Sequence, residues 1–286
     1  MTRTTLRAGE LSLELDPALG GCVMRFRLDD VNLFRPAPQG ADDVIQAGCF
    51  PLVPFVNRVR DGVFSFRGET VRLSPNLSPQ KHPLHGQGWR SAWSLERADV
   101  GRAELLFRHE PGEWPWAYEA RQTFELDARG LTVRLTCRNR SDRPMPCGLG
   151  QHPYFPCDAD TVLDTGVSHA WTIDDEVMPV GRVAAEGRYD LRGRRIAGAD
   201  LDNGFDGWSG RATVTWPGKA QLTMTADAPR LQVYAPPSGE VFAAEPVTNA
   251  NDALSRPEAE WPTLGLQVLE PDAEAALDVR FEVERL

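Results

Sequence analysis

Short segments in which apolar and polar residues alternate recur from one end of the chain to the other, with Gly, Pro or Asp between them. They include Leu11–Leu15, Val63–Phe66 before Gly68, Ala103–Arg108, Gln122–Leu126, Leu131–Cys137, Ala212–Trp216, Gln221–Thr225, Leu231–Tyr234 and Ala276–Val283. A period of two puts every second side chain on the same face, so these segments are half-buried antiparallel strands and not helices. The 23 prolines and 25 glycines leave little room for long helices; one short helical turn is predicted near Ala250–Leu254. No repeat of 20–50 residues is present, which sets aside propellers and solenoids. No Gly/Ser-rich linker or charge run divides the chain. The 286 residues are therefore read as all-β, a large antiparallel β-sandwich forming a single domain over residues 1–286.

Composition narrows the function. The net charge of −10 argues against nucleic acid and anionic membrane surfaces as partners. No apolar run is long enough to span a bilayer, and the opening MTRTTLRAGELSLELDP lacks the apolar core of a secretory leader. The five cysteines, Cys22, Cys49, Cys137, Cys147 and Cys157, are scattered and never spaced as C-x-x-C. That pattern points to reduced, mostly buried thiols in a cytoplasmic protein, not to disulfides or a zinc site.

Few residues are placed for chemistry. His85 lies in HPLHGQGW, where Gly86 and Gly88 are expected to allow a tight loop and close approach to a ligand. His152 lies in GLGQHPYFP, after glycines and before a proline and two aromatics, a setting suited to stacking on a sugar ring. Each reads equally as a hydrogen-bonded histidine ordering its own loop. His82 reads as structural; His109 and His169 sit in polar strands. Glu245 follows the apolar VFAA and precedes Pro246, so a partly desolvated carboxylate at a strand end is expected, with its pKa raised. Asp202 and Asp206 compete within LDNGFDGW, a segment with turn chemistry. Asn57 and Arg58 close the apolar FPLVPFV, and a fixed guanidinium there suits oxygen ligands. Templates for serine hydrolases, P-loops, dinucleotide folds and zinc proteases are missing. His82 and His85, spaced i, i+3 across a proline, do not define a metal site.

Taken in order, these segments resemble the aldose 1-epimerase (galactose mutarotase-like) family. PLVPFVNRVRDGVFSFRGETVRL is similar to its Asn-Arg segment and following hairpin, and HPLHGQGWRSAW to its His-Gly loop. GLGQHPYFP resembles its second histidine motif, LDNGFDGW its aspartate segment with Asp202 at the aspartate, AEPVTNANDALSRP its glutamate segment with Glu245, and ALDVRFEV its last strand. The chain differs where Gly86-Gln87 replaces a double glycine and where E-P-V-T replaces E-T-Q. The resemblance implies a β-supersandwich, no cofactor and no metal, a monosaccharide as partner, and a monomer or homodimer. It implies Glu245 as base and His152 as acid in exchanging the anomers of a free aldose, with Asn57, Arg58, His85 and Asp202 binding substrate. Two rival readings are a mutarotase for a phosphorylated or sulfonated hexose, with Arg60 and Arg90 as added cations, and a sugar-binding protein without catalysis. A glycoside-processing domain would ordinarily call for two carboxylates.

Overall fold

The computed structural model describes residues 3–286. Strands hold 49% of the residues and helices 7%, too little helix for an α/β arrangement. Every alternating run named above falls within a strand. Among the described residues the strands build two large antiparallel sheets and smaller ones beside them. The nine-stranded sheet runs, in spatial order, Arg194–Arg195, Val162–Thr165, Arg211–Trp216, Ala220–Ala226, Glu274–Arg285, Gly130–Asn139, Tyr118–Asp127, Arg102–His109 and Ser94–Ala98. The eight-stranded sheet runs Pro179–Ala184, His169–Ile173, Leu201–Asp206, Arg230–Ala235 and Val241–Val247. The far edge of Val241–Val247 pairs with both Gly150–Gln151 and Tyr154–Pro156, and Pro51–Leu52 lies outermost. A four-stranded sheet is made by Thr4–Ala8, Leu11–Asp16, Cys22–Leu28 and Val31–Asn32.

Alternation decides what each face does. From the eight-stranded sheet, Phe205, Leu231, Val233, Phe242 and Ala244 enter a buried cluster that also takes Leu135, Leu222, Met224, Leu277 and Phe281 from the nine-stranded sheet. Phe34 joins three sheets, with its ring 5.2 Å from Phe26, 5.6 Å from Phe155 and 5.0 Å from Phe281. Burying a side chain of that size contributes about 1.5–3 kcal/mol, and truncating it to Ala would cost about 3–5 kcal/mol. On the opposite face of the same eight-stranded sheet stand Asp202, Gln232, Tyr234 and Glu245, since residues one step along each strand point the other way.

The structure corrects several local expectations. Ala250–Leu254 is not helical: Asp252 has φ +60°, and the segment spends its polar groups on the Asn57–Arg60 loop instead. Asn251 Oδ1 accepts from the Arg58 amide at 3.0 Å and Asp252 Oδ1 from the Arg60 amide at 2.9 Å. The α-helix is Trp261–Leu264. Glu245 lies within its strand and not at its end, because pairing continues through Pro246 to Val247. Asp202 belongs to a strand and not a turn, since Leu201 and Phe205 carry that segment into the core.

Candidate functional site

The polar face of the eight-stranded sheet is the floor of an open cleft of about 650 Å³ including its mouth. Asn57, Arg58, His85, His152, Asp202 and Glu245 all line it, together with Tyr154, Gln232 and Tyr234. Cross-strand register explains the gathering. Gly204 faces Gln232, and Gln232 faces Glu245. Asp202 faces Tyr234, Tyr234 faces Ala243, and Ala243 faces Tyr154. Directly opposed residues on one face lie close enough for their side chains to interact. Gly204 leaves room for the Gln232 amide, whose Oε1 would lie 3.2 Å from a Cβ at that position.

The centre of the cleft is the contact of His152 Nε2 with Glu245 Oε1, at 3.2 Å. Both side chains are buried, and neither His152 Nδ1 nor Glu245 Oε2 has a protein partner. Burial, followed by the Asp202 charge, pushes the Glu245 carboxyl well above the usual carboxylate range, with Arg58 opposing. Burial lowers the His152 imidazole to about 3, and the Arg35 charge acts in the same direction. Both shifts run toward the uncharged form of each partner, so burial favours a neutral carboxyl beside a neutral imidazole.

His85 and Asn57 are locked reciprocally. The His85 amide donates to the Asn57 carbonyl at 3.0 Å, and the Asn57 amide donates to His85 Nδ1 at 3.1 Å. Accepting at Nδ1 assigns the proton of the neutral ring to Nε2, which leaves Nε2–H as its free donor. Burial, then the His152 and Arg58 charges, hold this imidazole well below its usual range. Gly86 serves this loop, though not by approaching a ligand: at φ +73° a Cβ there would fall 2.2 Å from the Val53 carbonyl oxygen. The loop therefore presses on the segment that follows Pro51–Leu52.

Arg58 donates to Asn57 Oδ1 at 3.1 Å and lies 3.6 Å from Asp202 Oδ2. Asp202 accepts from Gln232 Nε2 at 2.9 Å and keeps 25% of its side-chain surface exposed. Burial raises its carboxyl against the pull of Arg58. Asp206, its rival in the sequence, is held by Arg230, Arg182 and Trp171 instead. His82 accepts the Asp61 amide at Nδ1 and meets Glu176 through Nε2.

Arg60 and Arg90 are not lining residues of the cleft. Arg60 pairs with Asp252 and Asp174, and Arg90 pairs with Asp43 and lies over the Trp89 ring. Sequence reasoning missed Tyr154, Gln232, Tyr234 and Arg35. Tyr154 was within reach, two residues from His152 and so on the same face; Gln232 and Tyr234 are the polar positions of the alternating run Leu231–Tyr234. Nothing in the sequence near Arg35 marks it. Among the described residues no group of three or more His, Cys, Asp or Glu side chains is arranged to hold a metal ion, and no helix is long and apolar enough to cross a membrane. The cysteines are unpaired thiols, all buried except the half-buried Cys157.

Sheet order and polar cleft together define a galactose mutarotase-like β-sandwich. The chain belongs to the aldose 1-epimerase family, whose model matches residues 4–282. It is 31% identical over 271 residues to the uncharacterized protein YphB of Escherichia coli (strain K12), covering 90% of this chain and 92% of that one. It is 26% identical over 247 residues to the aldose 1-epimerase of the same organism, covering 74% of this chain and 68% of that one. The crystal structure of a putative aldose 1-epimerase from Escherichia coli K12 superposes with a TM-score of 0.90 at 29% identity, over 100% of this chain and 99% of the other. A galactose mutarotase-like protein from Clostridium acetobutylicum shares the fold, with a TM-score of 0.88 at 16% identity over 99% and 95% of the two chains.

Proposed function

We propose that this protein interconverts the α and β anomers of a free aldose, with Glu245 and His152 moving the protons. The observation that carries this reading is the 3.2 Å contact between His152 Nε2 and Glu245 Oε1. Opening an aldose ring removes a proton from O1 and delivers one to O5. Both oxygens are bonded to C1, so base and acid must stand within a few ångström of each other. Two groups held this close, in a cleft rich in hydroxyl-binding side chains, meet that requirement.

The pair carries one proton between its two partners. With sugar bound, that proton moves from the carboxyl to the imidazole, giving Glu245 carboxylate beside His152 imidazolium, an arrangement that burial disfavours. Glu245 then takes the O1 proton, His152 gives its proton to O5, the C1–O5 bond breaks, and C1 becomes an aldehyde. These transfers return the neutral pair. Rotation about C1–C2 and closure by the reverse transfers give the other anomer. The Nε2–H of His85 and the Arg58 guanidinium steady the developing charge, and Asn57 and Asp202 receive hydroxyls.

A neutral sugar fits better than an anionic one. Arg58, the guanidinium lining the cleft, already faces Asp202, while Arg60 and Arg90 are engaged with carboxylates elsewhere. Anomer exchange followed by polarimetry or NMR across a panel of free and phosphorylated aldoses tests the reading. Faster exchange of a free aldose is expected; turnover confined to phosphorylated sugars would overturn the neutral-substrate reading.

A further inference from the structure

His152 is packed against two aromatic rings. Its ring stacks on Phe50 at 4.5 Å and meets Tyr154, tilted, also at 4.5 Å, while Phe50 and Tyr154 lie 6.2 Å from each other, so the three rings form a corner, with Trp89 5.4 Å from Phe50. A guanidinium lies over each outer ring: Arg35 at 3.9 Å over Tyr154 and Arg90 at 4.9 Å over Trp89. Both are tied to one short segment at the cleft rim. Arg35 donates to the carbonyls of Ile45 and Ala47, and Arg90 pairs with Asp43 at 2.9 Å. That segment supplies Ile45 to the cleft lining. The rim segment is thus tied through Arg35 to the Tyr154 ring that packs on His152, and cation–π contact adds to that packing.

We propose that Arg35 is a positioning residue for His152, acting through Tyr154 and the rim segment Asp43–Ala47. The proposal rests on the anomer-exchange reading. Ring stacking fixes the plane of the imidazole, so that Nε2 faces Glu245 and not the solvent. Several titratable or charged groups face His152. Glu245 meets its Nε2, the His85 ring lies perpendicular at 5.6 Å, and Tyr154 with Arg35 beyond it covers one face. Cys49 lies behind, bonded to Gln151, and Arg58, Asp202 and Tyr234 stand in the cleft. Of these, Arg35 is the cation that lies on a ring packed directly against His152. Removing it should make protonation of the imidazole easier.

Two variants and two readouts test this. Arg35→Met removes the charge and the carbonyl contacts; Arg35→Lys keeps a cation. Ring nitrogen NMR of His152 reads its proton state whether or not sugar turns over, and the pH profile of kcat/KM reads the same group during exchange. In Arg35→Met the imidazolium-to-imidazole ratio at a given pH should rise about tenfold, moving the profile up by about one pH unit. kcat should fall about tenfold with a smaller change in KM, while Arg35→Lys should keep the wild-type profile. If Arg35→Met does not fold, Arg35→Gln, which keeps a donor for the Ala47 carbonyl, carries the same comparison. A folded, uncharged variant whose His152 resonances and pH profile coincide with wild type would overturn the proposal, even if it were slower. Absence of sugar exchange in the wild type would defeat the anomer-exchange reading, and the NMR comparison would still decide whether Arg35 governs the imidazole.

Discussion

Glu245 stands directly opposite His152 across the edge of the strand Val241–Val247, although no continuous backbone ladder joins the two chains there. Gly150 pairs with Val247 and Tyr154 with Ala243 in a common register, and that register sets position 152 against position 245. Between these pairings Pro153 and Pro246 supply no backbone donor. The backbone of His152 turns to Phe50 instead, donating at 2.9 Å. An interruption in one ladder thus leaves two buried side chains facing each other with a shared proton.

Replacing the base should be nearly silent for the fold. Burial favours the uncharged form of Glu245, and Glu245→Gln is uncharged and of the same shape. Anomer exchange should fall by about 10²–10⁴-fold, while the melting temperature stays within a few degrees of wild type. A folded Glu245→Gln protein with wild-type exchange rates would remove Glu245 from the chemistry.

The pH profile of exchange should be a broad bell whose limbs belong to the pair. The imidazole, lowered to about 3, accepts a second proton only in strong acid, so the acid limb lies near pH 3 if the fold survives there. The alkaline limb reports loss of the shared proton, held well above the usual carboxylate range by burial of Glu245. His152→Asn should lose the two-step behaviour and leave one carboxyl titration in its residual activity. An unchanged profile in that variant would assign the acid role elsewhere, with His85 the first candidate.

Stability should carry the signature of the buried imidazole. A folded-state pKa below the unfolded value of about 6.5 contributes stability that is complete above that value and lost as pH falls toward the folded pKa. The relevant window is therefore pH 6.5 down to about 3, and the full loss is on the order of 5 kcal/mol. Glu245 has the opposite sign: its raised pKa contributes below the usual carboxylate range and is lost as pH rises through the folded value. Urea unfolding between pH 7 and pH 4 should show a shallower acid loss in His152→Asn than in wild type. Equal slopes would mean that folding leaves the His152 pKa at its unfolded value.

Asp202→Asn separates binding from chemistry. Asp202 touches Arg58 and Gln232 and makes no direct contact with His152 or Glu245. Its loss should raise KM about tenfold with a smaller change in kcat, the pattern of an interaction made equally in ground and transition states. A fall in kcat alone would place Asp202 in the proton-transfer step.

Local pattern made the strands legible, because a period of two survives in any strand with one buried face. The motif residues Asn57, Arg58, His85, His152, Asp202 and Glu245 were likewise visible from order and resemblance, and the structure gathers them in one cleft. What local pattern could not supply was register and distant partnership. Pro246 read as a strand terminator, but its missing donor falls where the ladder is already broken. The Asn-Asp-Gly chemistry of LDNGFD read as a turn, yet Leu201 and Phe205 belong to the core. Arg60 and Arg90 read as spare cations until Asp252 and Asp43, far off in sequence, proved to hold them. Arg35 had no local mark, because its role depends on a ring that enters the chain at Tyr154.

The central claim is that one buried proton, shared by Glu245 and His152, drives anomer exchange. The most direct test is magnetisation-exchange NMR on a free aldose at equilibrium, which follows α and β C1 protons with wild type, Glu245→Gln and His152→Asn at equal concentration. Exchange cross-peaks should appear with wild type and grow more slowly by about 10²-fold or more with each variant. Equal cross-peak growth in wild type and a folded Glu245→Gln protein, or no growth above buffer with wild type across a panel of aldoses, would contradict the account.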